Sequence, residues 1–100
     1  SLLIHLTDPL RALYALRSVT RGYAIVATVI DQTRFGSRQP RAHFHGTATG
    51  QAFWAPNMAC LEQWALAAGF KRVERVSTFM LSSLDGQFRS PHGTIKAFIA

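Results

Sequence analysis

The chain has 100 residues, 48% of them apolar and 16% charged, which is the composition of one small globular domain and excludes a disordered or low-complexity chain. The apolar stretch 23–30 is far shorter than the roughly 20 residues of a membrane-spanning helix, so no membrane span is predicted. Eleven Lys and Arg against five Asp and Glu give a net charge of +6, and the single cysteine, Cys60, excludes an internal disulfide and favours a reducing, cytoplasmic compartment.

The first predicted helix spans 9–20. Thr7 or Asp8 can cap its first amide groups, and Pro9 suits the first turn because its missing N–H would be unpaired there. Gly22 is predicted to end the helix.

The stretch 23–30 is apolar on successive residues, which is typical of a strand covered on both faces, as in a parallel sheet. From 31 to 53 the periodicity disappears. A connection of that length favours a lid or a binding loop, with room for a short helix.

The C-terminal half repeats the alternation of helix and strand. Asn57 is the predicted N-cap of a second helix that stops at Gly69, and a strand follows at 70–81. The Asp85-Gly86 pair predicts a turn into a last strand at 93–100, so the chain should end in an antiparallel pair. The predicted fold class is therefore an α/β sheet with one antiparallel member.

The predicted sheet has an open edge. A strand as apolar as 23–30 needs neighbours, yet two helices and about three strands cannot surround it, and an open apolar edge is an aggregation hazard. We expect an N-terminal half of the same domain to precede the sequence given.

Two stretches carry a resemblance to a known family. They are "LLIHLTDPLRALYALRSVTRGYAIVATVID" and, after a polar loop, "FWAPNMACLEQWALAAGF". Together they resemble the C-terminal half of a class I S-adenosylmethionine-dependent methyltransferase. The similar branch has the pattern "LxHLxDPLxAL" and a Trp-x-Pro-Asn helix start, and the tRNA wobble-uridine carboxymethyl transferases are similar over the same stretches. The resemblance covers nearly the whole chain.

The resemblance implies a Rossmann-like sheet of seven strands, the last antiparallel and inserted beside the fifth. Residues 1–4 would then be the end of strand four, 23–30 strand five, and the two C-terminal strands six and seven. The glycine-rich loop and the acidic residue that hold the cofactor would lie upstream. This chain alone, 1–100, is therefore expected to be inactive, as the substrate side of one methyltransferase domain.

The resemblance places the backbone of Leu3, Ile4 and His5 beside the methionine part of S-adenosylmethionine. Ile4 stands where the tRNA-modifying relatives carry a tyrosine. His5 has two interpretations: a catalytic base that takes a proton from the methyl acceptor, or a structural residue that caps the turn before the first helix.

Ligands of open α/β sheets gather beyond the carboxyl ends of the strands. Asp31 directly follows the strand 23–30 and is therefore a predicted substrate-binding residue. The other predicted substrate-binding residues lie in the long loop or at its end, and they are Arg34, Phe53, Trp54 and Asn57. Phe53 and Trp54 can wall a substrate pocket by stacking, or form a hydrophobic staple that fixes the entry of the second helix.

The other reactive side chains give weaker evidence of a functional site. His43 and His45 form a His-x-His pair, but no cysteine or carboxylate cluster accompanies them, so no metal site is predicted. Trp64 belongs to the apolar stripe of its helix and is predicted to lie in the core. Cys60 lies in a helix with no fixed histidine partner, and a nucleophile is not predicted.

The basic residues fall in two groups, which are either a solvated surface or a site for an anionic partner: Arg34, Arg38 and Arg41, then Lys71, Arg72 and Arg75. The function expected of the parent protein is methyl transfer from S-adenosylmethionine to a small molecule or an RNA. The alternative is a non-enzymatic basic α/β module that binds RNA or an acidic partner.

Overall fold

The computed structural model of the chain describes residues 2–32, 38–46 and 52–100. A 3-10 turn at Leu3–His5 precedes helix α1 (Pro9–Val19), and helix α2 spans Met58–Ala67. The strands of the described residues are β1 (Tyr23–Val29), β2 (Ala42–Phe44), β3 (Trp54–Pro56), β4 (Arg72–Ser82) and β5 (Arg89–Phe98). The α/β class predicted from the sequence is confirmed.

The main sheet has the order β1-β5-β4, and β5 is antiparallel to both neighbours. The predicted antiparallel pair at the C-terminus is confirmed, with Gly86 at a φ of +74° in the turn. The last strand begins at Arg89, four residues before the predicted start at Gly93. Pro91 argues against a strand in the sequence because proline cannot donate a ladder hydrogen bond. In the structure its carbonyl still accepts the N–H of Ile30 at 3.0 Å.

The prediction that 23–30 is covered on both faces of a parallel sheet is wrong for the described residues. Every strand pair among them is antiparallel. Side chains alternate along β1: Ala24, Val26 and Thr28 are buried, whereas Tyr23 and Ile25 are 52% and 62% exposed. The sequence does not show this alternation, because the exposed side chains of β1 are as apolar as the buried ones.

Both helices pack into one core cluster with the buried face of the sheet. Leu13 of α1, Leu61 of α2 and Ile95 of β5 are almost completely inaccessible to solvent. Asp8 caps α1 by accepting the N–H of Arg11 at 3.0 Å, as predicted. The helix ends at Thr20, which turns into extended backbone, and not at Gly22.

Two further expectations are corrected. Leu3–His5 is a 3-10 turn and not the end of a strand, because the N–H groups of His5 and Leu6 bond locally to the carbonyls of Leu2 and Leu3. Ser1 lies outside the described residues. The region predicted to be a loop without periodicity contains β2, and β2 pairs with β3 over only three residues, too few to produce a pattern.

No helix among the described residues is long and apolar enough to cross a membrane.

Candidate functional site

The candidate site lies where the carboxyl end of β1 meets the Leu3–His5 turn and β3. The N–H of Phe53 donates to the carbonyl of Ile4 at 2.7 Å, and the N–H of Asp31 donates to the carbonyl of Pro56 at 2.9 Å. Both bonds go to the segment around β3. The segment 53–56 therefore holds the Leu3–His5 turn at one end and the carboxyl end of β1 at the other.

A cleft of about 340 Å³ opens beside Asp31. We call it the histidine cleft; its lining residues are Val29, Ile30, Asp31, Gln32, His43, His45, Ala55, Ser90 and Pro91. The rings of His43 and His45 meet edge to face with their centroids 4.6 Å apart. Both are half-buried. Two imidazoles and one carboxylate thus share an opening that can admit a small acceptor group.

The chemistry of this lining is proton transfer and hydrogen bonding. Imidazole is the side chain suited to exchanging protons near neutral pH, and a carboxylate can orient or accept a donor. Metal binding has no support among the described residues, because none of their His, Cys, Asp and Glu side chains form a group of three or more that could hold an ion.

His5 lies near this cleft but does not line it. Its side chain is exposed, and its backbone N–H closes the 3-10 turn on the carbonyl of Leu2 at 3.0 Å. Leu3 and Ile4 are buried beneath it. The turn reaches the histidine cleft through Phe53, whose carbonyl accepts the N–H of His45 at 2.7 Å. The roles predicted for these residues remain predictions.

Trp54 faces another opening. It lines a cleft of about 310 Å³ with Pro9 and Leu10 at the start of α1 and with Trp64 of α2. Its ring packs against Phe44 at a centroid distance of 4.6 Å. Trp64 is partly buried against the core, as predicted. The structure therefore does not bring Trp54 together with Asp31.

Asn57 is buried, and its side chain forms hydrogen bonds with the described residues Cys60, Arg41 and Gln39. Its Oδ1 accepts the N–H of Cys60 at 2.8 Å, which confirms the predicted N-cap of α2, and also the N–H of Arg41 at 3.1 Å. Its Nδ2 donates to the carbonyl of Gln39 at 2.6 Å. Asn57 thereby ties the segment before β2 to the start of α2. It also lines a cleft of about 280 Å³ with Asp31 and Arg75.

Sequence reasoning missed two features of this region. The sequence predicts only that His43 and His45 line the loop or face solvent, because nothing local in it places them beside Asp31. Arg75 lies in the same cleft as Asp31 because the strand order packs β4 against α2. Arg34, predicted to bind substrate, lies outside the described residues.

Cys60 is buried at the start of α2, and burial raises the pKa of its thiol to about 11 from an ordinary value of 9.0. The thiolate is the reactive form. Burial therefore agrees with the expectation that this residue is not a nucleophile.

We expect alkylation of Cys60 by iodoacetamide at pH 8 to be roughly a hundredfold slower in the folded chain than in urea, since two pKa units change the thiolate fraction by that factor. Mass spectrometry of timed samples measures both rates. Equal rates would contradict the burial of the thiol.

The same shift predicts a pH effect. The folded chain binds the thiol proton more tightly than the unfolded chain, so this contribution to stability is complete below pH 9 and is lost as the pH rises toward about 11. Urea unfolding at pH 8 and pH 10.5 should show the loss, and Cys60→Ala should reduce it. An identical pH dependence in Cys60→Ala would contradict the assignment.

Fold and site together define an α/β chain with an imidazole-lined cleft at a strand end. Compared with known proteins, the chain matches no protein-family model, and no curated protein matches it.

Proposed function

We propose that the chain is the substrate side of a class I S-adenosylmethionine-dependent methyltransferase, the C-terminal half of one cytoplasmic enzyme domain. In this proposal β1 is strand five of a Rossmann-like sheet, β4 is strand six and β5 is strand seven. The methyl acceptor lies in the histidine cleft. The cofactor lies against the Leu3–His5 turn and the upstream half of the domain.

The observation that carries the proposal is the strand order. A C-terminal hairpin pairs β4 with β5 in many folds, but here β5 is inserted between β4 and β1 and is antiparallel to both. The resemblance implies this arrangement, with the last strand antiparallel and beside the fifth.

The uncovered side of the sheet also supports the proposal. Tyr23 and Ile25 point away from both helices and are more than half exposed. Among the described residues, no strand pairs with the edge of β1 opposite β5. An apolar face and a free edge on a central strand are what remains when further strands and helices of the same domain are left out.

The residues present fit only one end of the cofactor. Leu3 and Ile4 are buried beneath the turn and can hold its backbone against the methionine part. No glycine-rich loop for a nucleotide follows a strand anywhere in the sequence. When bound, S-adenosylmethionine supplies an electrophilic methyl group.

The chain's own part in the reaction is to position the acceptor and take its proton. Methyl transfer is in line and depends on near-attack geometry, which the walls of the histidine cleft would impose on a bound acceptor. His43 and His45 are placed to receive the proton that an oxygen or nitrogen acceptor loses, and Asp31 is placed to orient it.

The test is isothermal titration with S-adenosylmethionine. We expect no binding by the chain of 100 residues, and binding by a protein that also carries the upstream coding sequence. That upstream sequence should contain a Gly-x-Gly loop after a strand and an acidic residue after the next strand. Micromolar binding by the chain alone, or the lack of both motifs, would refute the proposal; the latter result favours the basic module.

A further inference from the structure

A fourth cleft, of about 380 Å³, lies between α2, β4 and the segment 38–40. We call it the basic cleft; its lining residues are Arg38, Pro40, Ala59, Glu62, Gln63, Leu66, Lys71, Arg72, Val73 and Arg75. It contains members of both basic groups recognised in the sequence. The fold therefore brings Arg38 of the first group beside Lys71, Arg72 and Arg75 of the second, which lies far along the chain.

Three structural features assemble the basic cleft. The face of α2 with spacings of three and four residues, from Ala59 to Leu66, contributes one wall. The Nδ2 of Asn57 holds the carbonyl of Gln39 at 2.6 Å, which fixes Arg38 beside that wall. β4 contributes Arg72 and Arg75 opposite.

The lining has a strong excess of positive charge. Glu62 is its one carboxylate, and it forms an ion pair with Arg75 at 2.7 Å. Arg72 is bound to Glu74 and lies 3.8 Å from the centroid of the Phe98 ring. Arg38 and Lys71 form no ion pair with any other described residue, so both are able to bind an external anion.

The basic cleft shares a lining residue with a cleft at the candidate site. Arg75 lines it and also lines the smaller cleft that contains Asp31 and Asn57. Asp31 in turn lines the histidine cleft. Arg75 and Asp31 therefore link the lining of the basic cleft, through this smaller cleft, to the lining of the histidine cleft.

We propose that the basic cleft binds the phosphate groups of a ligand that carries at least two of them. Guanidinium groups bind phosphate oxygens in pairs, and four spaced cations match more than one negative charge. The identification of this ligand with the methyl acceptor rests on the proposed function. The phosphate binding itself does not.

The test compares two probes, pyrophosphate and a single-stranded RNA of 12 nucleotides, on the chain as it stands. Arg38→Ala/Lys71→Ala removes the two unpaired cations, and Arg11→Ala/Arg21→Ala removes the same charge from exposed positions outside the cleft. We expect about tenfold weaker binding from the first variant and less than about twofold from the second.

The salt dependence identifies the source of the phosphates. If RNA binds, the slope of log K against log salt should fall by about 0.7 for each cation removed, about 1.4 in the double variant. Binding of RNA alone indicates a nucleic acid, and binding of pyrophosphate indicates a small phosphorylated ligand. Failure of both probes, or equal losses in the two variants, would overturn the proposal.

A change of opposite sign gives an independent test. Glu62→Gln removes the carboxylate that competes for Arg75 and should strengthen binding of the same probe by about threefold, the size of one surface charge effect. Asp85→Asn makes the same charge change in the β4–β5 turn and should leave binding unchanged. Weaker binding by Glu62→Gln would contradict the assignment.

The two proposals fail separately. Phosphate binding is measured without S-adenosylmethionine, so it stands if the longer protein does not bind the cofactor. Cofactor binding by the longer protein stands if the basic cleft binds neither probe.

Discussion

Replacing Asn57 by alanine is expected to lower the free energy of unfolding by about 2–4 kcal/mol, because a helix cap contributes about 1 kcal/mol and each partner left without a bond adds to the loss. The partners are the N–H groups of Cys60 and Arg41 and the carbonyl of Gln39. Cys60 is buried, so water cannot freely replace its partner. Urea unfolding followed by circular dichroism measures the loss.

Two variants separate the roles of the Asn57 side chain. Asn57→Asp keeps the acceptor for Cys60 and Arg41 but turns a carboxylate oxygen toward the carbonyl of Gln39 in place of the donor, and should cost about 1–3 kcal/mol. Asp8→Ala removes only the cap of α1 and should also cost about 1 kcal/mol. If Asn57→Ala lowers the free energy of unfolding no more than Asp8→Ala does, the bonds that tie 38–41 to α2 add nothing to stability.

The Asn57 bonds also connect stability with the proposed phosphate site. Because Asn57 holds Gln39, its replacement by alanine should release Arg38 from the wall of α2. Asn57→Asp should have the same local effect at a smaller cost in stability. Under conditions in which both variants are still folded, we expect them to bind the phosphate probe more weakly than the unchanged chain.

Some elements of this fold can be predicted because their chemistry is local. Asp8 and Pro9 mark the start of α1, Asn57 marks the start of α2, and Asp85-Gly86 marks the turn between the last strands. Each signal depends on residues within three or four positions of one another. The hydrogen bonds that the N–H groups of Arg11 and Cys60 donate to the side chains of Asp8 and Asn57 bear this out.

Other elements depend on contacts that no local pattern contains. Burial on β1 alternates, although Ile25 on the open face is as apolar as Val26 on the covered face. β2 pairs with β3 over three residues, and only that pairing brings His43 and His45 to Asp31. The candidate site was therefore predictable at Asp31, which follows a strand, but not at its two imidazoles.

Gly93 is expected to be the most sensitive glycine of the sheet. A Cβ placed there would overlap Sδ of Met58 and lie 3.1 Å from Cγ2 of Ile30. Overpacking of this kind costs about 1–3 kcal/mol, since the buried Met58 side chain must shift, against the 0.4–1 kcal/mol or so gained when alanine restricts the unfolded chain. Gly93→Ala should therefore lower stability in urea unfolding. Gly22→Ala is the matched control, since nothing lies within 4 Å of its Cβ position.

Met58 decides whether this explanation is correct. In a Met58→Ala background the overlapping sulfur is gone, so most of the cost of Gly93→Ala should disappear, leaving a coupling of about 1–2 kcal/mol between the two positions. If Gly93→Ala lowers stability by the same amount in this background, the loss comes from the contact with Ile30 or from the strand backbone. Ile30 directly precedes Asp31, and its N–H is held by Pro91 two residues before Gly93. The absence of a side chain at Gly93 thus lets α2 pack directly against β5, next to the residue that precedes Asp31 at the candidate site.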